Sequence, residues 1–398
     1  EKLIKHPNLL RKIQKFNYEN KKINYNSNLI KVSNLKNNLL IKENYKINFI
    51  NNNNNNNKIL HIANFDEKND YRLSNINLAT KISNGFIKDK FHTTNFSDRF
   101  FSQQNVFSDI DDRIINIIKN LKPTLILLGH TNSLKTETLK NIKDKFSDIK
   151  IAFWYEDSIN KKGPDYIKNR TFIEKYKNYV DQYFITTDVN NIETSIPKKK
   201  LNFIPVPASS LSENLNLYKI KNHEYDIFYA VSHGVNRGVL KKNKIDERYN
   251  FLKLLMDNSE DITYNIFGFN NAQPIWGDEF IKEMSKCRFG LNLSRGEPVK
   301  YYSSNRIATL VANGIPTLID EKTKYSDFFS NNEMIFYKDI YDLIDKVKFY
   351  KKNERKRIQI GVNGQSKYFK IFSNIIVADY IASKTLGTKP SYNYVWDQ

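Results

Sequence analysis

Thr124-Leu125-Ile126-Leu127-Leu128 is a short apolar run lying between Asp112 to Leu121 and Leu134 to Phe146, both of which read as helices. A strand that is apolar on both faces must be covered on both, so such a run between two helices predicts a parallel sheet with helices on each side. The alternation extends outward in both directions. Upstream, Lys58-Ile59-Leu60-His61-Ile62-Ala63-Asn64-Phe65 has strand length, and apolar residues follow at helical spacing from Leu73 to Phe86. Downstream, Lys150 to Trp154 and Tyr183 to Thr187 supply further strands.

Pro197, Pro205 and Pro207 bracket Leu201 to Ile204, and the polar, irregular stretch Ala208 to Asn222 follows, which marks a domain junction. Beyond it the pattern restarts with strand Tyr225 to Val231, helix Asp246 to Met256, strand Thr263 to Phe267 and helix Asp278 to Lys286. Strand Phe289 to Leu293, helix Ser304 to Asn313 and strand Pro316 to Ile319 come next, and helices Ile340 to Tyr350, Glu354 to Phe372 and Asn374 to Leu386 close the chain. The expected fold is α/β, with two doubly wound units, residues 58–207 and 224–372, joined by a linker at 208–223. Residues 373–398 form a C-terminal helix and tail expected to pack back on the first unit, and residues 1–57, ending in the run Asn51 to Asn57, read as an extension and linker. Two such units facing one another place a central cleft at the carboxyl ends of both sheets, where open α/β sheets bind ligands.

The chain has 398 residues, of which 40% are hydrophobic, and a mean hydropathy of -0.61; this excludes wholesale disorder but demands a very polar surface. Lys and Arg number 63 against 43 Asp and Glu, a net charge of +20 that favours anionic partners such as nucleotides, nucleic acid or lipid head groups. The basic residues are spread along the chain rather than gathered in one tail, so charge alone does not choose among these. The single Cys287 excludes an internal disulfide and multi-cysteine metal sites, consistent with a reducing compartment and a cytoplasmic location. No run approaches the roughly 20 apolar residues that cross a bilayer, so any membrane association is expected to be peripheral, on the inner face.

Ser294-Arg295-Gly296-Glu297-Pro298 and Tyr301-Tyr302-Ser303-Ser304-Asn305-Arg306 lead into the helix that Gly314 ends, with Ser303 or Ser304 as its expected cap. Arg306 falls in the first turn, where a cation opposes the helix dipole unless an anion shares the site. Ser232-His233-Gly234-Val235-Asn236-Arg237-Gly238, followed by Lys241, comes directly after a strand and could cradle an anion with backbone amides and basic side chains. Ser232, His233, Gly234, Arg237, Lys241, Arg295, Tyr302, Ser304, Asn305 and Arg306 are therefore the expected phosphate-binding residues. Glu156 and Asp157 after one strand and His130 after another stand where a general base is expected. Asp109-Ile110-Asp111 reads as a helix start, the six histidines lack zinc-ligand spacing, and neither a metal site nor a cofactor is expected.

Ser303-Ser304-Asn305-Arg306-Ile307 leading into Leu310-Val311-Ala312-Asn313-Gly314-Ile315-Pro316, together with Ser232-His233-Gly234 and Phe289 to Ser294, resembles the GT-B glycosyltransferases, in particular the spore-maturation-type (CgeB-like) family. The first unit adds Ser83-Asn84-Gly85-Phe86-Ile87 before Asn95 to Arg99, and the resemblance spans roughly residues 58–386. It implies two Rossmann-like domains, the second holding a nucleotide-sugar donor and the first a glycan or lipid-linked acceptor in polysaccharide biosynthesis, without a required metal. Two motif glutamates of retaining relatives are replaced by Tyr301 and Thr309. A nucleotide-sugar epimerase would share the architecture. A non-catalytic glycan or nucleic-acid binder is the other alternative; nucleic acid is disfavoured because the aromatic residues fall mostly inside strands and helices.

Overall fold

Each strand of the first half alternates its side chains between two helical layers, and this sorts the core into two sheets of side chains. In the computed structural model, which describes residues 57–65, 77–99, 110–131, 133–161, 163, 165–213, 215–231, 240–241, 244–245, 247–269 and 272–397, the first six strands are β1 (Lys58–Ala63), β2 (His92–Phe96), β3 (Leu125–Gly129), β4 (Lys150–Tyr155), β5 (Gln182–Ile185) and β6 (Leu201–Phe203). They form one parallel sheet in the order β2-β1-β3-β4-β5-β6. Leu60, Ile62, Ile126, Leu128, Ile151 and Phe153 face helices α2 (Ile110–Leu121), α3 (Thr136–Lys145) and α4 (Tyr166–Glu174). Ile59, Leu125, Leu127, Ala152, Trp154 and Phe184 face the other way, against α1 (Leu78–Lys88). Asn77 opens α1 by accepting the Ala79 amide at 2.7 Å.

The second sheet is also parallel, in the order β10-β7-β11-β12-β13, from β7 (Tyr225–Ala230), β10 (Tyr264–Phe267), β11 (Cys287–Asn292), β12 (Thr317–Asp320) and β13 (Ile335–Tyr337). A two-stranded antiparallel ribbon, β8 (Leu240–Lys241) with β9 (Lys244–Ile245), stands apart from it. Helices α5 (Glu247–Asp257) and α8 (Ile340–Lys352) cover one face of the large sheet, while α6 (Gly277–Ser285) and α7 (Arg306–Ala312) cover the other. In both sheets the first strand lies beside the third, so each has a switch point where successive crossovers leave in opposite directions.

The long α9 (Glu354–Phe372) ends at Ser373, whose extended backbone breaks the helical path before α10 (Asn374–Leu386). Ala208 takes up the freed groups: its amide donates to Phe372 O at 2.9 Å and its carbonyl accepts from the Asn374 amide at 2.8 Å. The two chain crossings between the lobes are thus bonded to each other. α10 then packs on α1, so closely that a Cβ added at Gly85 would lie 2.1 Å from the Asn374 carbonyl oxygen. All these residues belong to one unit, Asn54–Gln398. No described helix is long and apolar enough to cross a membrane.

The stretch expected to be a junction, Leu201 to Ile204, is instead the edge strand β6. The expected helix Ser304 to Asn313 is shorter, Arg306 to Ala312, and no side chain caps it. Ser303 Oγ is engaged elsewhere, donating to Asn292 Oδ1 at 3.1 Å.

Candidate active site

The loops following the carboxyl ends of the two sheets meet. Glu156 follows β4, and its Oε2 accepts from Asn305 Nδ2, just before α7, at 2.7 Å. Asp165, before α4, pairs through Oδ2 with Arg295 Nη1 at 2.6 Å. Asp188, after β5, receives no bond from its own lobe's sheet; its amide donates to Lys300 O at 3.2 Å, and Lys300 Nζ lies 3.9 Å from its carboxylate. On every one of these bridges the first lobe contributes the carboxylate and the second the amide or cation.

His130 ends β3 with φ of 51°, a left-handed conformation that costs a non-glycine residue energy and so must be held by its surroundings. Its ring stacks on Tyr155 at 4.8 Å, and Gly129 before it leaves room for the Trp154 indole, which a Cβ there would meet at 2.0 Å. Nε2 is buried, makes no hydrogen bond among the described residues, and lies 3.6 Å from Glu156 Oε1. Asp157, grouped with these two from the sequence, is exposed and reaches only the Tyr155 hydroxyl, at 3.4 Å.

Arg306 stands at the switch point of the second sheet. Its Nε and Nη2 donate to Ala230 O at 3.2 and 3.0 Å, at the end of β7; Nη1 donates to Leu293 O at 2.9 Å, just after β11. Ser304 Oγ accepts a further bond at 3.1 Å, and the guanidinium lies 4.8 Å over the Tyr229 ring. All of these acceptors are neutral, so the charge is positioned but not neutralised, and burial pulls its pKa below the usual value. The helix-dipole argument for Arg306 therefore gives way to a different one: strand-end carbonyls fix the cation. Ser304 also donates its amide to Ser294 Oγ at 3.3 Å. Burial, then the Asp157 and Glu156 carboxylates, push the Tyr302 phenol well above its ordinary pKa, so it stays neutral.

Of the other expected anion ligands, Ser232, His233, Gly234 and Arg237 lie outside the described residues, and Lys241 is described only as backbone in β8. Asp109 likewise lies outside them; Asp111 sits in the first turn of α2 and takes the Lys135 ammonium at 3.1 Å. Among the described residues no group of three or more His, Cys, Asp or Glu side chains could hold a metal ion.

Sequence reasoning missed Asp165, Asp188 and Glu213. Thr309 donates to Glu213 Oε1 at 3.1 Å, and that carboxylate is itself ion-paired to Lys81 with both side chains buried. The Gly163-Pro164-Asp165 turn signal was the available clue to Asp165; Glu213 carried none.

Residues 248–382 match a family model described as glycosyl transferase-like. Among solved structures, an alpha-glucosyltransferase in complex with UDP and DNA is similar with a TM-score of 0.56 and 11% identity, covering 82% of this chain and 99% of that one. Sucrose-phosphate synthase from Thermosynechococcus elongatus gives 0.51 at 9% identity, covering 82% and 98%. HepE of Anabaena, in complex with UDP and glucose, gives 0.50 at 10% identity, covering 83% and 100%. A UDP-N-acetylmuramate–L-alanine ligase from Pelagibacter ubique is 23% identical over 258 residues, 63% of this chain; the chain spans about half of that protein's length, 48%. The architecture, two parallel sheets with their own helical layers, is that of the GT-B fold. With a glycosyl transferase-like domain built into it, the class it defines is a glycosyltransferase.

Proposed function

We propose that this protein transfers a sugar from a nucleotide-diphosphate donor to a hydroxyl of a glycan or lipid-linked acceptor. The observation that carries the proposal is Arg306: a guanidinium held by neutral carbonyls at the second sheet's switch point keeps its charge for an anion. Arg295, two residues past Leu293 and half-exposed, supplies a second cation on the same loop. The UDP in the solved complexes of similar folds supports a uridine nucleotide as the first donor to try.

In the reaction the C1–oxygen bond to the diphosphate breaks with its electron pair passing to the phosphate oxygen. Charge grows there as it leaves, and the two guanidiniums stabilise it. The acceptor oxygen bonds to C1 and gives up its proton to Glu156, which Asn305 orients from the opposite lobe and His130 flanks. The diphosphate is proposed to be met by these side chains, with no metal required, and the enzyme to work at the inner, anionic membrane face.

The deciding experiment is a calorimetric and thermal-shift screen against UDP-, GDP-, CMP- and dTDP-sugars, followed by product analysis with candidate acceptors. A selective stabilising nucleotide sugar and a transferred sugar support the reading. Isomerised donor without transfer indicates an epimerase, and failure of every nucleotide to bind rejects the site.

A further inference from the structure

Arg306 and Arg295 hang from the same loop but are held in opposite ways. Arg306 is fixed by backbone carbonyls of its own lobe, which cannot leave. Arg295 is held across the mouth by Asp165, in a pair whose side chains are each 31% exposed. Asp165 itself adopts φ of 63°, ψ of 16°, the left-handed region, and its side chain makes no cap bond to α4. A residue held in that conformation, at a helix start it does not cap, is placed for something other than the helix.

We propose that Asp165 is a positioning residue that sets donor affinity: its carboxylate occupies Arg295 in the empty enzyme, and the donor diphosphate must displace it. This rests on the reading of Arg295 and Arg306 as the diphosphate site. A phosphate and a carboxylate present the same pair of acceptor oxygens to a guanidinium, so the exchange keeps Arg295 paired in both states. It also frees the first lobe's carboxylate as donor binds, loosening one cross-lobe bridge while Glu156–Asn305 remains.

A half-exposed pair of this kind is worth a modest free energy, so removing the competitor tightens donor binding by about two- to fivefold. The test is UDP and UDP-glucose titration of the intact protein, its D165N and D165S variants, R295A, and the D165N/R295A double variant, with thermal melts to confirm folding. The expected result is tighter nucleotide binding and a lower donor KM in both Asp165 variants with kcat little changed, weaker binding in R295A, and a double variant that behaves as R295A alone. Asp165 variants that fold and bind UDP as wild type does, or more weakly, overturn the proposal while leaving the diphosphate site standing if R295A is impaired. UDP binding unaffected by R295A overturns the proposal too. Absence of nucleotide binding in every protein overturns the site and the proposal together.

Discussion

Lys81 on the first helix and Glu213 in the crossing between the lobes form an ion pair with side chains 1% and 0% exposed. The carboxylate is saturated from three further directions or elements: Ser209 gives its amide to Oε2 at 3.0 Å, and Thr309 of α7 gives its hydroxyl to Oε1 at 3.1 Å. One charge pair thus ties together both lobes and the segment between them. Removing one partner leaves the other charged and dry, which costs about 3–5 kcal/mol. We expect Glu213→Gln to lose roughly that much in urea unfolding, and the paired change Lys81→Met with Glu213→Leu to recover most of it; a small loss in the single variant would show that water reaches the pair.

Replacing Arg306 by lysine keeps a cation but not the fork that grips two strand ends. Lysine cannot donate to Ala230 O and Leu293 O in that geometry, so the charge is no longer aimed. Arg306→Lys is expected to weaken nucleotide-sugar binding about tenfold or more, read by calorimetry, with a smaller change in melting temperature than Arg306→Ala.

Glu156→Gln retains an acceptor for Asn305 Nδ2 but removes the base. Turnover is expected to fall about 10²- to 10⁴-fold, with donor affinity nearly unchanged, because Glu156 contacts the second lobe through Asn305 rather than through a cation. Steady-state kinetics with the donor identified above measures both.

Gly85→Ala puts a methyl group where the Asn374 carbonyl already sits, 2.1 Å away, with the Ala378 Cβ at 2.9 Å. Backbone cannot yield as a flexible side chain does, so α10 must shift on α1, at a cost of about 1–3 kcal/mol. Thermal unfolding reads this directly.

Two groups move stability with pH in opposite directions. Burial lowers the pKa of His61 to about 3, and its ring is used in the neutral form, with Nε2 accepting from Trp154 at 2.8 Å and Nδ1 meeting Ser83 Oγ at 2.7 Å. The unfolded chain binds the proton that the fold refuses, so stability is full above pH 6.5 and declines as pH falls from there toward 3. Asp89 is the reverse: burial first, then the Asp379 charge, raise it to about 6, so its ionisation in the fold costs stability as pH rises through 6. Asp89→Asn should therefore stabilise the protein at pH 7.5, by roughly 1 kcal/mol after allowance for solvent screening, and do little at pH 4.

The sheets were legible because fully buried parallel strands spell themselves out in Leu, Ile and Val, as Leu125 to Leu128 do. β6 was misread because prolines flank it; they stand outside Leu201–Phe203, and an edge strand tolerates them there. β13, only Ile335–Tyr337, is too short to carry a period. Glu156 and His130 could be placed at strand ends from the sequence, and so could Arg306 near a helix start. Its true partners could not, since Ala230 is 76 positions away. The serine cap failed for a related reason: Ser303 finds a better acceptor in Asn292, on a strand the local sequence does not see.

The helix that closes the first lobe comes from the far end of the chain. Val377, Ala378, Tyr380 and Ile381 complete the layer that Ile59, Ile82 and Phe86 begin. During synthesis, then, the ribosome releases a six-stranded sheet with one side bare, and that side stays wet until some three hundred further residues have emerged. The amino-terminal half cannot mature first; it waits for the last helix, and nascent chains stalled before residue 374 should be those that chaperones hold longest.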